Sequence, residues 1–148
     1  MTMPLAASFY DFVVGVHVLA VTVAFGVVFA FPVIRLAAAR GPDAAGAHRL
    51  EYTVARYIVN PGLVVVLAAG IYLASSGHHW HQFFVQWGLA MVVVIGALVG
   101  AVLIPTAKKA EAAVGGTDYE MLSRRLVAVG WAVSLLVTVT IVLMAVQA

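Results

Sequence analysis

The stretch FYDFVVGVHVLAVTVAFGVVFAFPVI, residues 9–34, decides the fold. Beyond Asp11 its one ionisable side chain is His17. A hydrocarbon core is crossed by roughly 20 helical residues, so the stretch is long enough to span. Three more apolar runs of spanning length follow, over about 56–75, 83–104 and 126–146. None alternates with the period of a strand. A backbone in lipid must satisfy its own hydrogen bonds, which leaves helices as the reading. The expected fold is all-α: a polytopic membrane protein whose four transmembrane helices form one bundle and one domain over residues 1–148.

Composition agrees. The chain is 64% hydrophobic and 9% charged, with a mean hydropathy of +1.08. Soluble domains carry about a quarter charged residues. That scarcity excludes a soluble enzyme, a disordered tail and a nucleic-acid binder. The pI of 9.2 rests on a net charge of only +2, with no aromatic-interleaved basic patch to meet nucleic acid. With no cysteine, disulfides, thiolate metal sites and cysteine nucleophiles are excluded too.

The eight basic residues fall in two segments. Arg35, Arg40, Arg49 and Arg56 lie between the first two spans, and Lys108, Lys109, Arg124 and Arg125 between the last two. By the positive-inside rule, loops 35–56 and 105–125 are expected in the cytoplasm and both termini outside. Residues before Arg35 include no Lys or Arg, so a cleaved leader is not expected and the first helix should persist. Trp80 and Trp87 flank the outer loop, where indoles favour the interface.

The two halves share features. Pro32 precedes Arg35 and Pro105 precedes Lys108, each by three positions, which suggests a two-hairpin repeat. Asp43, after Gly41-Pro42, is a candidate cap for a helix that runs on into the second span. Gly115-Gly116-Thr117-Asp118 breaks the second connection, and Asn60-Pro61-Gly62 predicts a kink. Ala20-x-x-x-Ala24 and Gly96-x-x-x-Gly100 have the small-residue spacing that serves either internal packing or a homodimer.

His17 is the first candidate site residue. It lies about 12 Å inside the outer end of its helix at 1.5 Å per residue. Intramembrane ionisable groups are functional candidates by default. One reading is an axial ligand to haem b; the other is a packing imidazole bonded to a carbonyl or to a hydroxyl such as Ser134 or Thr138. For the haem reading, Met91 is the candidate partner, about eight positions from Phe83 and so at similar depth. His78, His79 and His81 in the outer loop form a second constellation, with imidazoles suited to Cu or Zn. His78 or His79 could also fold over a haem edge or replace Met91. Arg35, Arg49, Arg56 and Arg124 are candidates to meet Glu51 or Glu120, or an acidic cofactor group.

Val16-His17-Val18-Leu19-Ala20, Phe25-Gly26 and the trailing Arg35 resemble the first helix of the J-type protoporphyrinogen oxidase membrane family. Arg56-Tyr57-Ile58-Val59-Asn60-Pro61 and Gly70 look like that family's second helix. Trp87-Gly88-Leu89-Ala90-Met91 looks like its Trp-Leu-His-Ala-Lys segment. The resemblance implies haem b with His17 as a ligand. Met91 stands at the Lys that would be the other ligand and Leu89 at the neighbouring His, so the chain departs from the family where oxidase activity resides. In overall plan the chain also resembles a bacterial family of uncharacterised "predicted integral membrane proteins" and, more distantly, the copper-resistance D membrane domain. These resemblances imply a multi-pass protein of the bacterial inner membrane, in contact with the bilayer. Three function classes stand as expectations: a haem-binding or redox bundle, a Cu- or Zn-handling protein, and a non-catalytic subunit of a homo-oligomer or larger membrane complex.

Overall fold

In the structure, a computed structural model, residues 5–147 are described, with side chains from residue 9. Seven α-helical segments and two π-helical ones build four rods. Rod one joins α1 (Leu5–Val28) and α2 (Phe31–Arg40). Rod two runs from α3 (Ala44–Val54) through a π segment (Ala55–Val59) to α4 (Asn60–Ser76). Rod three joins α5 (Phe83–Ala97), a second π segment (Leu98–Leu103) and α6 (Ile104–Ala113). Rod four is α7 (Tyr119–Gln147). All four rods are long and apolar enough to cross a membrane, and this is a membrane protein with an all-α four-helix bundle. At 29 to 33 residues each, the rods are longer than the roughly 20 residues needed, so their polar ends extend past the apolar runs.

Three prolines set the interruptions. Pro32, Pro61 and Pro105 are each the second residue of a segment, α2, α4 and α6. A proline lacks the N–H for the i−4 carbonyl and its ring crowds that carbonyl. At Pro32 the chain answers with a turn over Phe29–Ala30; at Pro61 and Pro105 it answers with π turns. The expected kink at Asn60-Pro61-Gly62 is thus taken up one turn earlier, as an extra residue in the helix. Pro32 and Pro105 occupy matching places in the two hairpins, whereas the uninterrupted α7 has no counterpart to the Pro61 distortion.

The π turns also govern what is buried. On rod two the buried positions run Glu51, Ala55, Val59, Leu63; on rod three they run Ile95, Val99, Leu103, Ala107. A stripe spaced by four drifts about 40° per step on an α-helix at about 100° per residue. The wider π turns absorb that drift and keep both stripes facing the bundle. Phe25, Val28 and Phe31 from rod one and Leu126, Val133 and Val137 from α7 complete this core. The small residues serve internal packing: a Cβ on Gly62 would come within 2.8 Å of the Ala24 Cβ, and one on Gly100 would lie 3.8 Å from the Asn60 amide oxygen.

Local caps follow the expectations. The Asp43 carboxylate accepts from the Gly46 N–H at 2.8 Å and starts α3. Gly115, at φ +82°, turns the chain out of α6 toward α7 in the left-handed region that a glycine adopts without strain.

The end carrying the basic residues is closed by a buried ion pair. Arg35 on α2 is bonded to Glu51 on α3, which is fully buried. The Arg35 guanidinium lies over Gly130 of α7, where any Cβ would collide with it. His48, one turn before Glu51 and also buried, meets the Tyr119 hydroxyl of α7 at 2.8 Å. Its other ring nitrogen stands 3.8 Å from Glu51. Arg49 reaches Glu111 of α6 at 2.8 Å, and Arg124 pairs with Glu120 on the exposed start of α7 at 2.6 Å. Exposed pairs of this kind contribute little, but breaking a buried one strands a charge. Glu51→Gln is therefore expected to destabilise the folded protein by about 3 kcal/mol or more in detergent unfolding titrations. The double variant Arg35→Leu/Glu51→Leu, which removes both charges, should recover most of that loss. If the double variant is no more stable than Glu51→Gln, the pair is not the closing element.

Candidate functional site

At the opposite end, toward the loop of residues 77–82, the rods part around a cavity of about 540 Å³. Its walls come from all four rods. Tyr10, Val14, His17 and Val21 line it from α1, Val66 and Gly70 from α4, Gly88 and Val92 from α5, and Thr140 and Met144 from α7. The lining is almost wholly apolar. A volume of this size falls within the range of roughly 300–1,000 Å³ typical of ligand sites, which pair apolar walls with a few polar groups.

His17 is half-buried, and its Nδ1 is buried with no hydrogen-bond partner. The reason the ring fits lies across the interface, on α4. Gly70 has no side chain, and a Cβ there would sit 3.5 Å from His17 Cε1 and 3.9 Å from Nδ1. The backbone of Val66, one turn along, also approaches the ring. The hydroxyls expected as alternative partners are turned elsewhere. Thr138 bonds back to the Ser134 carbonyl at 2.8 Å; Thr140, on the cavity wall but not among those expected, likewise bonds back to the Leu136 carbonyl at 2.7 Å. The Ser134 hydroxyl is itself buried without a partner.

Of the other candidates, the structure brings one to His17 and leaves the rest apart. His79, in the connecting loop, lines the same cavity. His78 sits in the left-handed region at φ 56°, and it and His81 are exposed. Among the described residues, no group of three or more His, Cys, Asp or Glu side chains is arranged to hold a metal ion. Met91 is partly buried and packs against the core without lining the cavity. Phe84, Val85, Gly88, Leu89 and Val92 make the α5 wall of the cavity, and Met91 packs beside that wall against the core.

A second thioether takes its place. Met144 of α7 lines the cavity, and its terminal methyl rests in the notch left by Gly88. A Cβ at Gly88 would collide with that methyl and lie 4.0 Å from the sulfur. The cavity thus gathers two imidazoles, a thioether, a tyrosine and a threonine within apolar walls. Two glycines on different helices make room for the side chains that bear on it. Depth arguments from sequence miss Met144, which lies close to the end of its span; the Gly88 spacing across the bundle is the signal that finds it.

Comparison with protein-family models, with curated proteins and with solved structures finds no match.

An unpartnered buried nitrogen costs about 1–3 kcal/mol, and replacing it with an apolar group of similar shape removes that cost. His17→Leu is therefore expected to leave thermal stability in detergent unchanged or raised. A large loss of stability would identify the imidazole as a structural element of the core.

Proposed function

We propose that this protein is a haem b-binding, redox-type membrane bundle in which His17 supplies an axial imidazole. The observation that carries the reading is the buried, unpartnered Nδ1 of a histidine facing a large apolar cavity. Buried polar groups are nearly always hydrogen-bonded, so one left unpartnered calls for an explanation, and a ligand site beside the cavity supplies one. An intramembrane imidazole is also expected to have a functional partner.

The residues present fit the group chemically. Imidazole suits iron, the walls are apolar, and Tyr10 and His79 are polar groups on the lining that can meet the carboxylates of the macrocycle. Haem b, when bound, supplies one-electron chemistry. The chain's own residues orient and insulate it. Gly70 lets α1 and α4 approach so that the His17 ring is held edge-on to α4. Val14, Val21, Val66 and Val92 exclude water, and a low-dielectric, water-poor shell is one of the levers by which a protein tunes a haem potential.

The placement of charge supports an orientation as well. With all basic residues at the far end, the positive-inside rule puts the cavity in the outer half of a bacterial inner membrane.

Gently purified protein from haem-replete cells is expected to show a Soret band and a pyridine haemochrome spectrum. His17→Ala should lose most of the bound haem while remaining folded by circular dichroism. Colourless wild-type protein, or equal haem content in the variant, would overturn the assignment.

A further inference from the structure

If His17 holds one face of a haem, the opposite face needs a donor that shares the cavity. We infer that this donor is the Met144 sulfur, brought into place by Gly88; the inference rests on the haem reading of His17. Three observations carry it.

Met144 and His17 line one cavity from different rods, α7 and α1, so a planar ligand between them has a donor available from each. Along α7, Thr140 and Met144 are one turn apart and Ile141 lies between them, so the face of α7 that meets the cavity is continuous through Met144. Finally, the Met144 side chain is seated. Its methyl occupies the space a side chain at 88 would take, and this fixes the end of an otherwise flexible thioether. Gly88 does for Met144 what Gly70 does for His17.

The competing donors are less well placed. Met91 packs against the core and is not part of the cavity wall. His79 lines the cavity from a loop, exposed, with its ring folded against Gly77. A histidine–methionine pair also has a distinct chemical consequence: it raises the reduction potential above that of a bis-histidine site. Met144 is then a determinant of potential.

The test uses the detergent-solubilised full chain titrated with haemin, read by absorption, magnetic circular dichroism and potentiometry. The wild type should bind haemin saturably as a low-spin, six-coordinate species with a thioether-to-ferric charge-transfer band. Met144→Leu, which keeps the volume, should retain haemin at the same stoichiometry, lose that band and shift to a lower potential. Gly88→Ala keeps both donors but displaces the methyl, and should weaken the band. Met91→Leu should match the wild type, and His79→Ala, which removes a lining group, should still show the thioether band. A Met144→Leu spectrum identical to wild type, or loss of the band only in Met91→Leu or His79→Ala, overturns the inference while leaving the haem reading intact. Absence of saturable binding by wild type, or binding undiminished in His17→Ala, overturns the haem reading and this inference with it.

Discussion

A helix in hydrocarbon has no water to accept the bonds it fails to make, and this single requirement shapes the protein from end to end. Each unsatisfied backbone group there costs several kcal/mol. Three of the rods nevertheless carry a proline well inside them. The structure meets the demand with one turn and two π segments, and one face of each π segment packs into the bundle: Ala55, Val59, Val99 and Leu103 are buried, whereas Arg56, Tyr57 and Ile58 face outward. Asn60, at the start of α4, stands beside Gly100 in the facing π segment. The distortions are therefore part of the packing surface, and the two buried stripes depend on them.

Polar chemistry is divided between the two ends. At the basic end, Arg35, Glu51, His48 and Tyr119 satisfy most of one another's needs and tie α2 and α3 to α7. At the other end, His17 is half-buried with a buried ring nitrogen unsatisfied, beside a cavity. One end spends its polar groups on holding the helices together, and the other keeps them available. Because the clamp at the basic end does not involve the cavity residues, the helices can part around the cavity while remaining registered below it.

Much of this was legible in the chain. Spanning length and lack of strand alternation were enough for the four helices, and Asp43 marked the start of α3 by its cap chemistry. His17 stood out because charge is so scarce. Arg35 with Glu51 was readable as a possible pair, but not as a buried one, since burial depends on Gly130 arriving from a helix nearly a hundred positions away. Met144 and His48 were not readable, for related reasons. A methionine in an apolar run is indistinguishable from core filling until its neighbours are known. His48 lies in a segment whose polar composition suggested solvent, and it is buried where α3 packs against α6 and its ring meets Tyr119 of α7. The π turns were hidden as well, because a four-residue spacing of apolar positions is invisible in a sequence apolar on every face.

Those two turns make the protein unequally tolerant of change. Side chains within 55–59 or 98–103 can be exchanged for others of similar bulk with local effect, since the stripe they belong to is defined by position. Losing one residue there removes the surplus that makes the turn: Glu51 and Leu63 would then stand eleven residues apart, about 1,100° and so within about 20° of three full turns, and rod two would relax into an unbroken α-helix with Gly70 still facing His17. Losing one residue outside the π turns has no such outlet and turns everything beyond it by about 100°. The reading frame of the helix, counted in single residues, is what ties the closed end of the bundle to the open one.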